Sequence, residues 1–358
     1  SMAHKLSMDR WLAGTVLVLT LFGLTMVFSA SAQVSADSSG SFTGFLAKQT
    51  VATILGLTLM FAATRIDYHK LQQPLAVWGL MAVCFILLTM ALVLGGRWLN
   101  FGHFSFQPSE LTKIVLLIFL VDLLSRKADE MKSFRGLLPA LGVLLLFCII
   151  IYRQPDFGTT ATVMLISFCL FFIAGIPVRL LAALALPGLF LAGLAVRLSP
   201  YQWQRVLNFI HPNQDLLGQN YQMNQSIIAM GSGGLTGVGL GRSIQKLFFL
   251  PAAHTDFIFA VIGEELGLVG CLLLVLAYVM LLIRGLRTAV RAPDPFGAYL
   301  AAAITLSLVL QAFINMAVVL GLLPTKGLPL PFVSYGGSSL LISLAAVGLV
   351  LNVSQHTA

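Results

Sequence analysis

Long apolar runs separated by short polar connections make up most of the chain of 358 residues. Many of the runs approach the roughly 20 residues that a helix needs to cross a bilayer. We therefore predict an all-α, polytopic membrane protein with about ten transmembrane helices in a single domain, 1–358. The predicted spans are 11–31, 45–64, 74–95, 108–125, 137–152, 158–175, 178–196, 257–283, 296–322 and 338–353.

The longest connection is 197–256, between the seventh and eighth predicted spans. Its part "NYQMNQSIIAMGSGGLTGVGLGRSIQKLFFLPAAHTDF" predicts an amphipathic helical segment, a glycine-rich turn and then an apolar segment with a basic pair. Irregular backbone at membrane depth must be buried in protein or line a wet cavity, so we expect structure in or near the interface. The connection "GGRWLNFGHFSFQPSE" is predicted to be irregular and to end where Pro108 starts a helix.

Composition supports the membrane prediction, because 58% of the residues are hydrophobic, 9% are charged and the mean hydropathy is +0.94. Soluble domains carry about 25% charged residues. We expect Ser1 to be an added residue before a natural start at Met2. The first apolar run is too long for a cleaved signal peptide, so we expect a retained span. The four cysteines lie in apolar runs outside any C-x-x-C pair and predict neither a metal site nor disulfides.

The net charge of +8 does not indicate nucleic-acid binding, because the basic residues lie in connections between spans instead of on one soluble face. Positive-inside bias and anionic lipid headgroups account for them. One side of the predicted topology collects twelve Lys and Arg and the other seven. Both termini are therefore predicted to be cytoplasmic, with 197–256 outside. The seven outer residues are Arg97, Arg153, Arg197, Arg205, Arg242, Lys246 and Lys326.

An ionisable triplet, His254, Thr255 and Asp256, lies at the start of the eighth predicted span. Thr255 or Asp256 could cap the helix, but capping explains one polar residue and not three in succession. Glu264 and Glu265 follow about two helical turns deeper. Ionisable residues within spans are costly and point to function.

A second charged pair, Glu110 and Lys113, lies in "QPSELTK" at i, i+3 inside the fourth predicted span. It is either a self-neutralising ion pair or part of a functional site. Glu264 could alternatively pair with Lys113 or Lys48 across the bundle, which would be a structural role.

Two further motifs allow both a structural and a functional interpretation. "RQPDFGTT" places Arg153 and Asp156 at the outer ends of two spans, where Asp156 would also suit a helix cap. "GSGGLTGVGLGRS", at 231–243, is not a Walker A loop, because Thr236 and Arg242 replace its Gly and Lys. It is either a closely packed turn or a nest of N–H groups that binds an anion beside Arg242 and Lys246.

Three segments, "RQPDFGTT", "QKLFFLPAAHTDFIFAVIGEELG" and "GLPLPFVSYGGSS", resemble the SEDS family (shape, elongation, division and sporulation) in this order and spacing. With "FQPSELTK" the likeness spans nearly the whole chain, and the short length and compact termini resemble the elongation-type members. The resemblance implies a ten-helix glycosyltransferase in the cytoplasmic membrane that polymerises lipid II into peptidoglycan at the outer face. It also implies release of undecaprenyl diphosphate and a class B penicillin-binding protein transpeptidase as partner.

The resemblance places the family's catalytic aspartate on Asp256. Two positions depart from the family pattern: Ala252 replaces the usual Glu after Pro251, and Lys326 replaces the usual Thr or Ser. The first departure puts in doubt any role of that Glu. The other motif positions fall on Arg97, Trp98, Glu110, Lys113, Arg153 and Asp156.

The chemistry implied by the family needs a sugar hydroxyl to lose its proton as it attacks an anomeric carbon, so one carboxylate is useful as general base. Asp256 is the candidate base, oriented by His254 and Thr255. Burial would raise the pKa of Asp256 and a nearby cation would lower it, so the sequence does not predict the direction of the pKa shift. Acidic groups could also hold Mg²⁺ or Mn²⁺. The candidate clamps for the diphosphate are Arg97, Arg205, Arg242 and Lys246.

Two other functions fit a membrane protein with charges in its spans. A lipid II flippase would also need a lipid groove and intramembrane charges, although it would need a polar path through both halves of the membrane. A scaffold that only recruits the transpeptidase is a further alternative. The polar motifs cluster near the predicted outer face, which favours chemistry at that face.

Overall fold

The computed structural model describes residues 7–39, 43–102, 104–211, 220–245, 250, 253–324 and 327–357. These residues form twelve α-helices and one two-stranded hairpin. The helices are α1 (Arg10–Ser39), α2 (Gly44–Arg65), α3 (Pro74–Val93), α4 (Pro108–Arg126), α5 (Phe134–Arg153), α6 (Phe157–Ile173), α7 (Val178–Leu198), α8 (Pro200–Ile210), α9 (Tyr221–Ser232), α10 (Ile258–Val290), α11 (Pro295–Val319) and α12 (Gly337–Ser354), and the strands are β1 (Leu99–Phe101) and β2 (Phe104–Phe106).

Ten of these helices coincide with the ten predicted spans, and the all-α prediction is confirmed. Eight of them are long and apolar enough to cross a membrane by length and composition alone. Of the other two, α4 carries Glu110, Lys113, Asp122 and Arg126, and α6 has 17 residues. An apolar run inside lipid must satisfy its own backbone groups, which is why each run folds as a helix.

The two remaining helices, α8 and α9, lie in the long connection between α7 and α10. The amphipathic segment predicted there is confirmed as α9. Helix α8 was not predicted, although Pro200 at its first position and apolar residues Trp203, Val206, Leu207 and Ile210 carry the signal.

The connection between α3 and α4 is not irregular as predicted, because β1 and β2 pair there as an antiparallel hairpin. Leu99 lies opposite Phe106, and Gly102 adopts a φ of 62° in the turn. Alternating apolar residues on both sides of a glycine are the signal that the sequence interpretation missed.

Helix α11 lies at the centre of the bundle, and α2 packs closely on α12. A Cβ at Gly348 would lie 2.4 Å from the carbonyl oxygen of Met60, so the two backbones approach through a residue without a side chain. Small residues permit this close approach between membrane helices.

Both described chain ends lie at the same end of the bundle. The Asp9 N–H donates to the Ser354 hydroxyl at 3.1 Å, and Arg284 Nη2 lies 2.7 Å from an Asp9 carboxylate oxygen. Arg284 is near the end of α10, whereas Asp256 immediately precedes its beginning. At about 1.5 Å per helical residue, the candidate site is thus at the end of the bundle opposite the termini.

Candidate active site

The segment that carries Asp256 is a turn that precedes α10 and not part of the helix. Phe257 occupies the N-cap position, and its side chain makes no capping hydrogen bond. Neither Thr255 nor Asp256 is the N-cap residue of α10, contrary to the capping interpretation. The carboxylate of Asp256 is free to face the space beside the helix.

The backbone of the turn is held by the segment 327–336 and by α11. Each of the three carbonyl groups of the triplet accepts one hydrogen bond. The Tyr335 N–H donates to His254 at 2.9 Å, the Ser334 hydroxyl to Thr255 at 2.6 Å and Asn315 Nδ2 to Asp256 at 2.8 Å. Buried carbonyl groups with partners fix a backbone conformation, so the position of Asp256 is determined by segments far away in sequence.

Asp256 lies where two cavities meet. One cavity has a volume of about 840 Å³ and the other of about 650 Å³, and both are lined by Arg97, Asp256 and Gly327. Gly327 lies against the carboxylate, since a Cβ at this position would be 3.0 Å from Asp256 Oδ2. A group in either cavity can therefore reach the same carboxylate.

The larger cavity is the more cationic of the two, because Arg153 and Arg205 line it together with Arg97. Asp156 also lies in its wall. Three guanidinium groups around one space suit an anion such as a diphosphate. Arg205 is presented by the amphipathic α8, so this helix contributes directly to the candidate site.

The smaller cavity combines an apolar wall with polar groups. Val51, Ala52 and Leu55 of α2 line one side, with Lys48 one helical turn before them. Val51 and Leu55 are exposed on the outside of the bundle. This cavity therefore suits a ligand that is apolar on one side and polar on the other. Its polar side includes Trp98, Asn100, Ser105, Gln107, Thr255 and Tyr335.

Desolvation by the surrounding protein raises the pKa of Asp256 to about 6, although part of the side chain remains accessible from the cavities. The positive charges of Arg97 and Arg205 oppose the rise, and the negative charge of Asp156 adds to it. The pKa of Asp256, for which the sequence predicted no direction of shift, is thus raised. A carboxylate with this pKa is ionised at neutral pH and is a stronger base than an ordinary aspartate.

Asp156 caps α6, as the structural interpretation predicted, by accepting the Thr159 N–H at 3.2 Å. Its other oxygen accepts Gln107 Nε2 at 2.8 Å and the Ser109 hydroxyl at 2.9 Å. These bonds join the start of α4 to the start of α6 and hold the carboxylate in the wall of the larger cavity. Arg153, predicted beside it, is the last residue of α5 and lines the same cavity.

Glu110 and Lys113 form the predicted ion pair, with Lys113 Nζ 2.9 Å from Glu110 Oε2. Both side chains are almost fully buried, at 2% and 3% exposure. Among the residues that the structure describes, neither contributes to the lining of either cavity. The pair therefore lies behind the cavity walls and does not face the space available to a ligand.

The glycine-rich segment 233–243 packs on α10 at a break in that helix. Gly267 has φ 64° and ψ −162°, so the helix loses its regular bonds on both sides of this residue. The segment replaces the missing bonds, which supports the interpretation as a closely packed turn. The N–H groups of Val238 and Gly239 donate to the carbonyls of Glu264 and Glu265 at 3.0 Å, and the carbonyls of Gly234 and Leu235 accept from Leu268 and Val269 at 3.0 and 3.1 Å.

Glu264 and Glu265 hold this segment through their carboxylates. Glu264 accepts the Ser243 hydroxyl at 2.5 Å and the Ile244 N–H at 2.9 Å, and Ser29 donates to Glu265 at 2.7 Å. The suggested pairing of Glu264 with Lys113 or Lys48 is wrong, because Lys113 is bonded to Glu110 and Lys48 lies in the smaller cavity.

We expect Gly237→Ala to destabilise the protein more than Gly241→Ala. Both glycines have positive φ, 79° and 80°, which costs about 1–2 kcal/mol in a residue with a Cβ. A Cβ at Gly237 would in addition lie 2.1 Å from the Glu265 carbonyl oxygen, whereas no heavy atom lies within 4 Å of a Cβ at Gly241. Thermal unfolding in detergent should show a further loss of about 1–3 kcal/mol for Gly237→Ala. Equal losses would contradict the packing described above.

The other predicted site residues are distributed as follows. Arg242 is exposed and is absent from the described lining of both cavities. The His254 ring packs against Phe45 and Tyr335 at 5.0 and 5.7 Å between centroids, and burial lowers its pKa.

Within the described ranges, no three His, Cys, Asp or Glu side chains are arranged to hold a metal ion. Lys246, Ala252 and Lys326 lie outside the described residues.

Sequence reasoning missed the neutral polar residues that support the charged ones. They are single amides and hydroxyls within apolar helices or at their ends, and nothing in one sequence distinguishes them from ordinary polar residues. What they share is a neutral polar group that requires a hydrogen-bond partner once it is buried. These residues are Gln49, Gln107, Ser109, Gln311 and Asn315.

Comparison with known proteins identifies relatives along almost the full chain. Residues 9–358 match the family described as cell cycle protein, FtsW/RodA/SpoVE. A probable peptidoglycan glycosyltransferase FtsW of Geobacter sulfurreducens is 42% identical over 347 residues, which cover 94% of this chain and 92% of the relative. Stage V sporulation protein E of Bacillus subtilis is 41% identical, with 99% and 98% covered.

Solved structures have the same fold. One chain from a peptidoglycan synthase complex, described as coordinating polymerization and crosslinking, superposes with a TM-score of 0.79 at 31% identity, with 98% of both chains covered. The rod shape determining protein RodA of Thermus thermophilus superposes with a TM-score of 0.72 at 30% identity, with 98% of this chain and 97% of that chain covered.

Proposed function

The chain belongs to the SEDS family of FtsW, RodA and SpoVE proteins, and we propose that it is a peptidoglycan glycosyltransferase that polymerises lipid II. The observation that carries the proposal is the position of Asp256, a carboxylate with a raised pKa where two cavities meet. A polymerase must bring two lipid-linked sugars to one catalytic group, and this arrangement provides a space for each.

In the proposed reaction, a sugar hydroxyl oxygen of one substrate attacks the anomeric carbon of the other. Asp256 accepts the hydroxyl proton as the new glycosidic bond forms. The bond from the anomeric carbon to the diphosphate oxygen breaks, and undecaprenyl diphosphate leaves with the electron pair. Cations that bind the diphosphate stabilise the charge that develops on it. Arg97, Arg153 and Arg205 are the described candidates.

We assign the cation-rich larger cavity to the substrate that loses its diphosphate. The smaller cavity, with its apolar wall on α2 and Lys48 beside it, is assigned to the lipid-linked sugar that supplies the hydroxyl. Arg97 lines both cavities and lies close enough to Asp256 to lower its pKa. It can therefore contact the diphosphate at the place where the bond breaks.

We place the site at the outer face of the cytoplasmic membrane, with both termini in the cytoplasm. The asymmetry of Lys and Arg supports this orientation, and both described chain ends lie opposite the site. A class B penicillin-binding protein transpeptidase is the proposed partner. The similar chain in a peptidoglycan synthase complex supports this partnership.

A lipid II flippase is the alternative, and one preparation distinguishes the two functions. The purified chain with its transpeptidase partner is reconstituted in vesicles with lipid II, and both glycan polymer and transfer of lipid II between leaflets are measured. We expect polymer. Transfer between leaflets without polymer would refute the polymerase proposal and favour the flippase.

The elongation role predicted from sequence stays a prediction. The relatives at 41–42% identity carry FtsW and SpoVE names, whereas the solved RodA is 30% identical. Complementation separates the roles, because an elongation enzyme would restore rod shape to cells depleted of RodA. Restoration of septa in cells depleted of FtsW, without restored rod shape, would assign the chain to division.

We expect polymerisation to decline in acid because Asp256 must be deprotonated to act as base. With a pKa of about 6, kcat/KM should be constant well above pH 6. It should fall about tenfold per pH unit well below that value. A decline centred near pH 4, the range of an ordinary aspartate, would contradict the desolvated environment described for this carboxylate.

A further inference from the structure

Two buried amides on α11, Gln311 and Asn315, face the segment that covers Asp256. They are one helical turn apart, so they lie on the same side of the helix. Gln311 Nε2 donates to the Pro329 carbonyl at 2.8 Å, and Asn315 Nδ2 donates to the Leu328 carbonyl at 2.7 Å. Their side chains are 1% and 2% exposed.

Asn315 also joins this segment to the turn that carries the carboxylate. Its Nδ2 group donates a second hydrogen bond to the Asp256 carbonyl at 2.8 Å, so both of its N–H bonds are used. Gly327, which precedes Leu328, lies against the Asp256 carboxylate. One amide thus sets the distance between the carboxylate and the backbone that covers it.

Gln311 connects the same segment to the buried ion pair. Lys113 Nζ donates to Gln311 Oε1 at 2.6 Å and to Glu110 Oε2 at 2.9 Å. A cation at Oε1 fixes the orientation of the amide, because the opposite orientation would direct N–H groups at an ammonium. The Nε2 group is consequently held toward Pro329.

We propose that Gln311 and Asn315 are positioning residues for Asp256, and that the Glu110–Lys113 pair supports catalysis through Gln311 without touching substrate. This rests on the proposed polymerase function and extends it to residues outside the cavity walls. Among the described residues, none of these four lines either cavity. Their effect on the reaction must therefore pass through the backbone of residues 327–330 and of Asp256.

The consequence of losing either amide has a definite direction. Without its hydrogen bonds, the segment at Gly327 is no longer held against the carboxylate, and water gains access to Asp256. The charged groups that act on Asp256 (Arg97, Arg205 and Asp156) remain in place. Because desolvation is the main cause of the raised pKa, hydration should lower it, and the less fixed carboxylate should also be a poorer base.

The test compares the parent with Asn315→Ala, Gln311→Ala and the matched control Ser307→Ala, each purified with the transpeptidase partner. Ser307 is a buried hydroxyl one turn from Gln311 on α11, and no described group bonds to its oxygen. Polymerisation of lipid II is measured from pH 4.5 to 8 (a range of about two units around the midpoint), with size-exclusion profiles to measure folded protein.

We expect kcat of both amide variants to fall about 10²-fold, the scale of a catalytic group displaced by about 1 Å, with KM within about threefold of the parent. The midpoint of the acid decline should move to lower pH, and Ser307→Ala should match the parent. A reduced rate with an unmoved midpoint would indicate a merely structural role and overturn the proposal. An increased KM at unchanged kcat would also overturn it, since these residues would then contact substrate. Failure of the polymerase function itself would already appear in the parent, as absence of polymer.

Discussion

Asp256→Asn is expected to reduce glycan polymerisation by about 10²–10⁴-fold, the usual contribution of a general base. Asparagine has the same shape and cannot accept the hydroxyl proton. The hydrogen bond to the backbone carbonyl of residue 256 does not involve the side chain, so the turn should remain in place. Polymer length and yield from lipid II measure the effect. Binding of lipid II should be retained, because the arginines in the cavity are unchanged.

The matched control for this variant is Asp129→Asn. Asp129 forms an exposed ion pair with Lys132, with 94% of its side chain exposed, and it does not belong to the described lining of either cavity. We expect the polymerisation rate of Asp129→Asn to stay within about twofold of the parent, as for most surface substitutions. If Asp256→Asn polymerised as fast as this control, Asp256 would not be the base.

Lys113→Met is expected to cause the largest loss of stability, about 3–5 kcal/mol, because it leaves a buried carboxylate without its cation. Among the described groups, Glu110 would then keep one hydrogen-bond donor, the Ser339 hydroxyl at 3.4 Å. Gln311 would lose the bond from Lys113 as well. Thermal unfolding of the purified protein in detergent measures the change.

Two variants separate the buried charge from other effects of the substitution. The double variant Glu110→Gln/Lys113→Met removes both charges, and we expect it to recover most of the lost stability. Lys132→Met breaks an ion pair of the same i, i+3 spacing at the surface, where no measurable change is expected. A double variant as unstable as Lys113→Met would show that packing, and not charge, dominates at this position.

The helices could be predicted from sequence because the bilayer imposes a strong rule. Backbone N–H and C=O groups in lipid must be hydrogen-bonded within the segment, so an apolar run of sufficient length is expected to form a transmembrane helix. The Glu110–Lys113 pair and the Asp156 cap could also be predicted, because each joins residues three positions apart in sequence. The cost of ionisable side chains at the start of an apolar run pointed to the triplet 254–256, and the family resemblance selected Asp256 within it.

The surroundings of Asp256 could not be predicted, because they depend on contacts between distant segments. The triplet 254–256, for which capping was one interpretation, lies in a turn that is held by residues 59 to 81 positions away in sequence. For Glu264 the sequence allowed a pairing with a lysine, whereas its carboxylate holds the glycine-rich segment through Ser243 and Ile244. Periodicity identifies the buried face of a helix, but it does not say which segment covers it.

The proposed reaction occurs at Asp256, where the two cavities meet. The most direct measurement is a structure of the Asp256→Asn variant with lipid II, in complex with the transpeptidase partner. We predict a sugar hydroxyl within about 2.6–3.2 Å of the side chain at position 256 and a diphosphate against Arg97. Lipid II bound elsewhere on the chain, with both cavities empty, would contradict a reaction at Asp256.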